Sequence, residues 1–141
     1  MTMYESSLNF NKPPAEVFAY LINFENQKKL NQYIVSMEVP KHIEVGSKYK
    51  MVTANGPVKF EITNEITDLQ PGRLLRVKTH AAPPVEEMIT TQILEAVGSG
   101  TKVTMQLEMP PSAHGKEDSM KQQMLDLIND SLTMYKNDMG A

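Results

Sequence analysis

The residues best suited to proton transfer are few and scattered along the chain. Histidines stand at His42, His80 and His114, without the i, i+4 spacing that places two imidazoles on one side of a helix for a metal ion. Glu86 and Glu87 follow a pair of prolines at a predicted strand start, where neighbouring side chains point to opposite faces. One carboxylate could therefore point inward as an acid, with His80 as a base. Glu87 and His80 are the candidate catalytic residues, and no metal site is expected.

The sequence contains no motif for other kinds of reaction chemistry. The chain has no cysteine, which excludes thiol nucleophiles, thiolate metal sites and disulfides. The run Gly98-Ser99-Gly100 lies between two predicted strands, without the strand-to-helix context of a phosphate-binding loop, and no cofactor is expected. His80 continues the alternation of Arg76 and Lys78, which equally fits a side chain in solvent. Catalysis and simple binding therefore both stay open.

Methionine is the most distinctive residue type, with 11 among 141 residues. Its unbranched, polarizable side chain can mould a pocket wall around varied ligands, or it can fill gaps in an ordinary core. Six methionines lie in predicted strands or on the apolar side of the predicted last helix: Met51, Met88, Met105, Met109, Met120 and Met124. Four aromatic residues are also expected to face the interior: Tyr20, Tyr49, Phe60 and Tyr135. An inward tyrosine hydroxyl could orient a polar group of a ligand.

The residues expected to line a ligand cavity come from the same strands and helix. They are Met51, Phe60, Ile62, Leu75, Val77, Met88, Met105, Leu107, Met120, Met124, Leu127 and Tyr135. The strand over residues 85–97 leaves its inward face open, because apolar residues occur at both parities. The two alternatives are Met88, Thr90, Gln92 and Leu94, or Ile89, Thr91 and Ile93.

The elements that must position these residues follow from periodicity. Alternation predicts a strand over residues 3–10, and helical spacing after Pro14 predicts a short helix. Asn23 is a suitable N-cap for a second helix over residues 24–30. Alternation then predicts six further strands, over residues 34–38, 48–53, 58–67, 73–80, 85–97 and 102–109. Asn55-Gly56 is the strongest hairpin signal among them, since both residues tolerate a positive φ.

The last segment is predicted to be a long helix that begins between His114 and Asp118 and ends at Gly140. Strands that follow one another usually pair, and a meander of about seven strands curls under its own twist. Only the last helix is long enough to cover the apolar side of such a sheet. The sequence therefore predicts a single α+β domain over residues 1–141, in which a curved antiparallel sheet wraps around the C-terminal helix.

Five stretches along the chain carry a family resemblance. They are PPAEVFAYL at residues 13–21, FENQKKLN at 24–31, VGSKY at 45–49, DLQPGRL at 68–74 and LEAVGSGT at 94–101. In this order they resemble the START-related superfamily, SRPBCC, which includes polyketide cyclases, START lipid-transfer domains and relatives of the birch-pollen allergen. The resemblance implies a helix-grip fold with an internal cavity for small or medium apolar molecules.

Three functions are compatible with that resemblance. The leading hypothesis is binding of a small hydrophobic ligand, such as a lipid, an aromatic compound or a polyketide-like molecule, between sheet and last helix. The second is an enzyme of the cyclase/dehydratase type that uses the same cavity. The third is a protein-partner module, like the heat-shock ATPase activators.

Charge and hydropathy restrict partners and location. Fourteen Lys and Arg residues against 17 Asp and Glu give a net charge of −3, which argues against nucleic acid as a partner. The first ten residues lack the pattern of a signal peptide, and no apolar run approaches the roughly 20 residues of a membrane span. We therefore expect a cytoplasmic protein without a membrane span, and a homodimer is an open option.

Overall fold

Seven strands and three helices make up the part of the chain that this computed structural model describes, residues 2–80, 86–110 and 117–141. In chain order they are β1 Thr2–Phe10, α1 Pro14–Ile22, α2 Phe24–Leu30, β2 Ile34–Met37, β3 Lys48–Asn55, β4 Val58–Gln70, β5 Leu74–Thr79, β6 Met88–Val97, β7 Gly100–Met109 and α3 Glu117–Met139. The helix-grip architecture predicted from the sequence is confirmed. The predicted loop at residues 81–84 and the predicted position of His114 lie outside the described residues.

The two short helices begin where their sequences allow. Proline is the first residue of α1, where its missing N–H leaves no hydrogen bond unmade. The side chain of Asn23 accepts a hydrogen bond of 3.3 Å from the backbone N–H of Glu25, which confirms the predicted cap of α2. Val17, Phe18 and Leu21 are buried, so α1 presents one apolar face to the sheet.

The strands form one antiparallel sheet in the order β1-β7-β6-β5-β4-β3-β2. β4 is 13 residues long and extends beyond its predicted end, because the pairing of β4 with β5 shifts register between Ile66 and Asp68. Such an irregularity increases local twist and bends the strand. The bend helps the sheet to curve around the elements on its inner face.

Helix α3 packs mainly over β1 and β7, at one side of the sheet. Its residues Ile128 and Leu132 are fully buried. The hydroxyl of Ser6 on β1 donates a hydrogen bond to Asn129, also on α3. Gly140, at φ +70°, ends the helix as the sequence predicts. Because α3 covers β1 and β7, the inner face of the remaining strands is left to be covered by α1 and α2.

None of the three helices in the described ranges combines the length with the apolar sequence that crossing a bilayer would require.

Candidate functional site

The register of β6 decides which of its faces points inward. Gln92 lies opposite the buried Met105 of β7, and Leu94 lies opposite the buried Val103. The inward set is therefore Met88, Thr90, Gln92 and Leu94, the first of the two alternatives left open by the sequence. The opposite set faces the outer side of the sheet.

A cavity of about 190 Å³ lies between the inner face of strands β3 to β6 and the three helices. Among the described side chains of α3, Tyr135 reaches it. The described residues that line it are Tyr20, Leu21, Asn23, Phe24, Asn26, Gln27, Asn31, Tyr49, Met51, Asn64, Leu75, Val77, Thr79, Met88, Thr90, Gln92 and Tyr135. Every residue in this set is uncharged at neutral pH, so the described lining offers hydrogen bonds and apolar contacts but no ion pair.

Five of the predicted lining residues meet in this cavity. They are Met51, Leu75, Val77, Met88 and Tyr135. Four of them lie on strands, and register places Val77 opposite Thr90 and Leu75 opposite Gln92. Two methionines, Met51 and Met88, therefore form part of the wall, and the other predicted methionines do not.

The remaining predicted lining residues lie elsewhere, for three different reasons. Ile62, Met105 and Leu107 point inward but are buried in the solid core. Phe60, Met120 and Met124 are half-buried outside the cavity lining, although both methionines pack against the core. Leu127 is 49% exposed, so its predicted place in the lining is wrong: the helix turns it to solvent beside the buried Ile128.

Both candidate catalytic residues are engaged away from the cavity, His80 in a hydrogen bond and Glu87 in an ion pair. His80 Nε2 lies 3.0 Å from Glu65 Oε1, and Glu87 Oε1 lies 3.1 Å from Lys78 Nζ. The two side chains are 37% and 38% exposed. Glu65 and Lys78 are paired neighbours on the outer face of β4 and β5, which explains why their partners also point outward. Neither candidate lies among the residues that line the cavity.

A strip of polar side chains crosses the inner face of the sheet, and sequence reasoning missed it. Asn64, Thr79, Thr90 and Gln92 form this polar strip, which runs diagonally over β4, β5 and β6. Thr79 donates a hydrogen bond of 2.7 Å to Asn64 Oδ1, and both are buried. The signal was present in the sequence, because Asn64 has the same strand parity as the apolar Ile62 and Ile66.

Four aromatic residues close the end of the cavity nearest the helices. The rings of Phe24 and Tyr49 stack with centroids 4.9 Å apart, and those of Tyr20 and Tyr135 meet edge to face at 5.9 Å. We call these four residues the aromatic cluster. Burial raises the pKa of Tyr49 and of Tyr135, so both phenols keep their protons at neutral pH. Of the four aromatic residues predicted to face the interior, Tyr20, Tyr49 and Tyr135 line the cavity and Phe60 does not.

A three-residue clamp, which shares Tyr20 with the aromatic cluster, joins the helices. The Tyr20 hydroxyl on α1 donates a hydrogen bond of 2.7 Å to Asp138 Oδ2 on α3, and Lys29 Nζ on α2 donates one of 2.8 Å to the same oxygen. The hydrogen bonds from Lys29 and Tyr20 lower the pKa of Asp138. Burial, together with that hydrogen bond, raises the pKa of Tyr20. The clamp fixes the ends of three helices around the cavity.

The clamp predicts a loss of stability in acid. A lowered pKa means that the clamp contributes stability above the ordinary value of 3.8, and loses it as the pH falls through the folded-state value. The variant Asp138→Asn lacks this contribution. We expect its Tm to lie below that of the wild type at neutral pH, and the difference to shrink as the pH falls below about 4. Thermal unfolding at a series of pH values measures it.

The matched control is Asp130→Asn, an exposed position on the same helix. Its Tm difference from the wild type should be smaller at neutral pH and should change less with acid. A constant Tm difference for Asp138→Asn across the whole pH series would contradict the role given to the clamp.

The comparisons with known proteins agree on the fold. The chain resembles Ara h 8.0201 at 17% identity, with 96% of this chain and 93% of that chain covered and a TM-score of 0.72. It is also similar to the di-domain ARO/CYC BexL from the BE-7585A biosynthetic pathway, at 17% identity and a TM-score of 0.77, covering 99% of this chain and 47% of that chain. The Aha1 dimer from Colwellia psychrerythraea matches at 14% identity and a TM-score of 0.66, with 96% and 97% covered.

Sequence comparison identifies the family. No curated protein matches the chain significantly. The sequence profile described as "Polyketide cyclase / dehydrase and lipid transport" matches residues 1–139, almost the whole of the 141-residue chain. The match agrees with the resemblance carried by the five stretches and with the helix-grip architecture. The chain therefore belongs to the polyketide cyclase / dehydrase and lipid transport family.

Proposed function

We propose that this protein binds a small hydrophobic molecule in the cavity between the curved sheet and the helices. The observation that carries the proposal is the cavity itself, about 190 Å³ of space with uncharged described walls inside a fold that otherwise packs a dense core. The cavity is partly open to solvent, so a ligand that enters it replaces contacts with water by contacts with the apolar walls. A ligand that fills it gains those contacts and stabilises the protein.

Binding is favoured over catalysis by the chemistry of the lining. BexL is a di-domain ARO/CYC protein from a biosynthetic pathway, which makes a cyclase/dehydratase the second candidate. General acid–base catalysis commonly uses a histidine or a carboxylate within reach of the substrate. Here the described lining offers tyrosines with raised pKa values and neutral amides. These groups suit the orientation of a ligand better than proton transfer at neutral pH.

The third candidate, a protein-partner module, is supported less by the surface. It calls for a contiguous apolar patch of several hundred Å². The exposed large apolar side chains of the described residues are instead spread over different elements: Met3, Tyr33, Val35, Val45, Val58, Val97, Leu127 and Met134. We place the ligand-binding function in the cytoplasm, and we leave a homodimer as a prediction for measurement in solution.

A titration with neutral single-ring compounds tests the proposed function. Toluene, ethylbenzene and acetophenone are added to the purified protein, and unfolding is followed by calorimetry. A compound present at 100 times its Kd should stabilise the folded state by about 2.7 kcal/mol and raise the Tm accordingly. If none of the three raises the Tm, and calorimetric titration detects no binding, the proposed function is wrong.

A further inference from the structure

We propose that the ligand is a neutral molecule about the size of one substituted aromatic ring, with an oxygen acceptor such as a carbonyl that the polar strip and the hydroxyl of Tyr49 recognise. This inference rests on the proposed function and narrows it to one chemical class. Three properties of the cavity carry it: its volume, its lack of charge in the described lining, and the placement of its hydrogen-bonding groups.

Volume sets the size of the ligand. A dry cavity of roughly 150 Å³ binds benzene, whereas drug-sized ligands occupy about 300–1,000 Å³. At about 190 Å³, this cavity accommodates one ring with a short substituent. A second fused or linked ring would extend beyond this volume.

The lining sets the charge of the ligand. An ionised group buried without a partner is strongly disfavoured, and the described lining contains no side chain that could neutralise one. A carboxylate or ammonium ligand would therefore be rejected, although its ring fitted. The ligand is therefore expected to be a neutral molecule.

Hydrogen-bond donors of the lining set the functional group. Thr79 donates to Asn64 Oδ1, so Asn64 has its amide N–H groups left to offer as donors. Tyr49 lies opposite Asn64 in the register of β3 and β4 and retains its phenolic proton. The side chains of Tyr49, Asn64 and Gln92 all belong to the cavity lining. These groups are therefore open to the cavity, where a ligand oxygen can accept from them.

Apolar groups occupy the other walls. Leu75, Val77 and Met88 flank the polar strip, and the stacked ring of Phe24 supports Tyr49 from behind. A ring would contact the aliphatic walls while its carbonyl oxygen met the donors. This two-sided arrangement distinguishes the cavity from a site for a purely hydrocarbon ligand.

Four probes and two isosteric variants test the inference by calorimetric titration. Acetophenone has the ring and the carbonyl, ethylbenzene lacks the oxygen, benzoate carries a charge and benzophenone adds a second ring. We expect acetophenone to bind, benzoate to bind at least about 100-fold more weakly, and benzophenone at least about 10-fold more weakly. Tyr49→Phe and Gln92→Met should each weaken acetophenone about five-fold and leave ethylbenzene unweakened. Tyr33→Phe, at a residue 59% exposed on the surface, is the matched control and should change neither probe.

The outcomes separate this inference from the proposed function. If neither acetophenone nor ethylbenzene binds, the proposed function fails and the inference fails with it. If both bind but Tyr49→Phe and Gln92→Met weaken neither, or if benzoate or benzophenone binds as tightly as acetophenone, the cavity is a ligand site and the inference alone is overturned. The probe comparison on the wild type decides the outcome even where a variant does not fold.

Discussion

Replacing Val77 by phenylalanine is expected to abolish binding of single-ring compounds while the protein stays folded. Val77 is half-buried on β5, and its side chain points into the cavity opposite Thr90. A phenyl ring needs about the volume of benzene, which fills a cavity of roughly 150 Å³. Phenylalanine here would project its ring beyond the space of the valine and into the cavity of about 190 Å³, where a ligand ring would have to lie. Calorimetric titration with acetophenone should show a loss in affinity of at least about 10-fold, because a ligand could then enter only by displacing packed side chains.

The same substitution at an exposed position of the sheet provides the control. Val97 ends β6 and is 52% exposed, so Val97→Phe adds the same ring without touching the cavity. This variant should bind acetophenone like the wild type. Undiminished binding by Val77→Phe, with its fold intact by circular dichroism, would show that ligands bind elsewhere.

Truncating Leu132 to alanine is expected to cause the largest loss of stability among substitutions on the helical face. Leu132 lies on α3 and is fully buried, and this helix packs over β1 and β7. Leu→Ala at such a position removes transfer free energy and leaves a void, and typically costs about 2–5 kcal/mol. Since domains of this size are stable by only about 5–15 kcal/mol in total, the variant should unfold at clearly lower urea concentration.

Leu127 is the matched position on the same helix. Leu127→Ala is the same substitution as Leu132→Ala, on the same helix, so the change in helix propensity is the same. Because the Leu127 side chain is 49% exposed, this variant removes little buried area. We expect a loss below about 1 kcal/mol. Equal losses for the two variants would contradict the orientation given to α3, and with it the position of Tyr135 over the cavity.

The fold was readable from the sequence because its strands alternate cleanly and its turns carry strong local signals. Asn55-Gly56 fixed one hairpin, Asn23 capped α2, and Gly140 ended α3 where expected. The end of β4 was predicted too early, since the register shift after Ile66 places two residues of one strand against one of its partner. Periodicity assumes a constant pairing and cannot anticipate such an irregularity.

The site could be predicted only in part. Alternation along a strand shows which residues share a face, but it does not show which element covers that face. Leu75, Val77 and Met105 all point inward, but only the first two meet open space, since α3 covers β7 and leaves β4 to β6 uncovered. The direction in which α3 crosses the sheet is a tertiary property. On the helix, Leu127 beside Ile128 widened the apparent apolar stripe, and only packing decides which of the two is buried.

The polar strip was not predicted, because its residues were interpreted only as part of the alternation along each strand and not as residues that line a cavity. Thr90 and Gln92 lie on the face that the sequence left undecided. Once register assigns that face to the interior, a threonine and an amide at buried positions need partners or a ligand. Sequence parity could have raised the question at Asn64, but only the pairing of β4, β5 and β6 places these side chains together.

The central claim, that a ligand occupies the cavity, is tested most directly by the methionine methyl groups. Protein with ¹³C-labelled methionine methyls is titrated with acetophenone and followed by nuclear magnetic resonance. Met51 and Met88 line the cavity, whereas Met3 and Met134 are 52% and 40% exposed at the surface. The account predicts saturable shifts, and contacts to the acetophenone ring, at Met51 and Met88 with the surface methyls unmoved. Binding that shifts Met3 or Met134 and leaves both cavity methyls in place would contradict it.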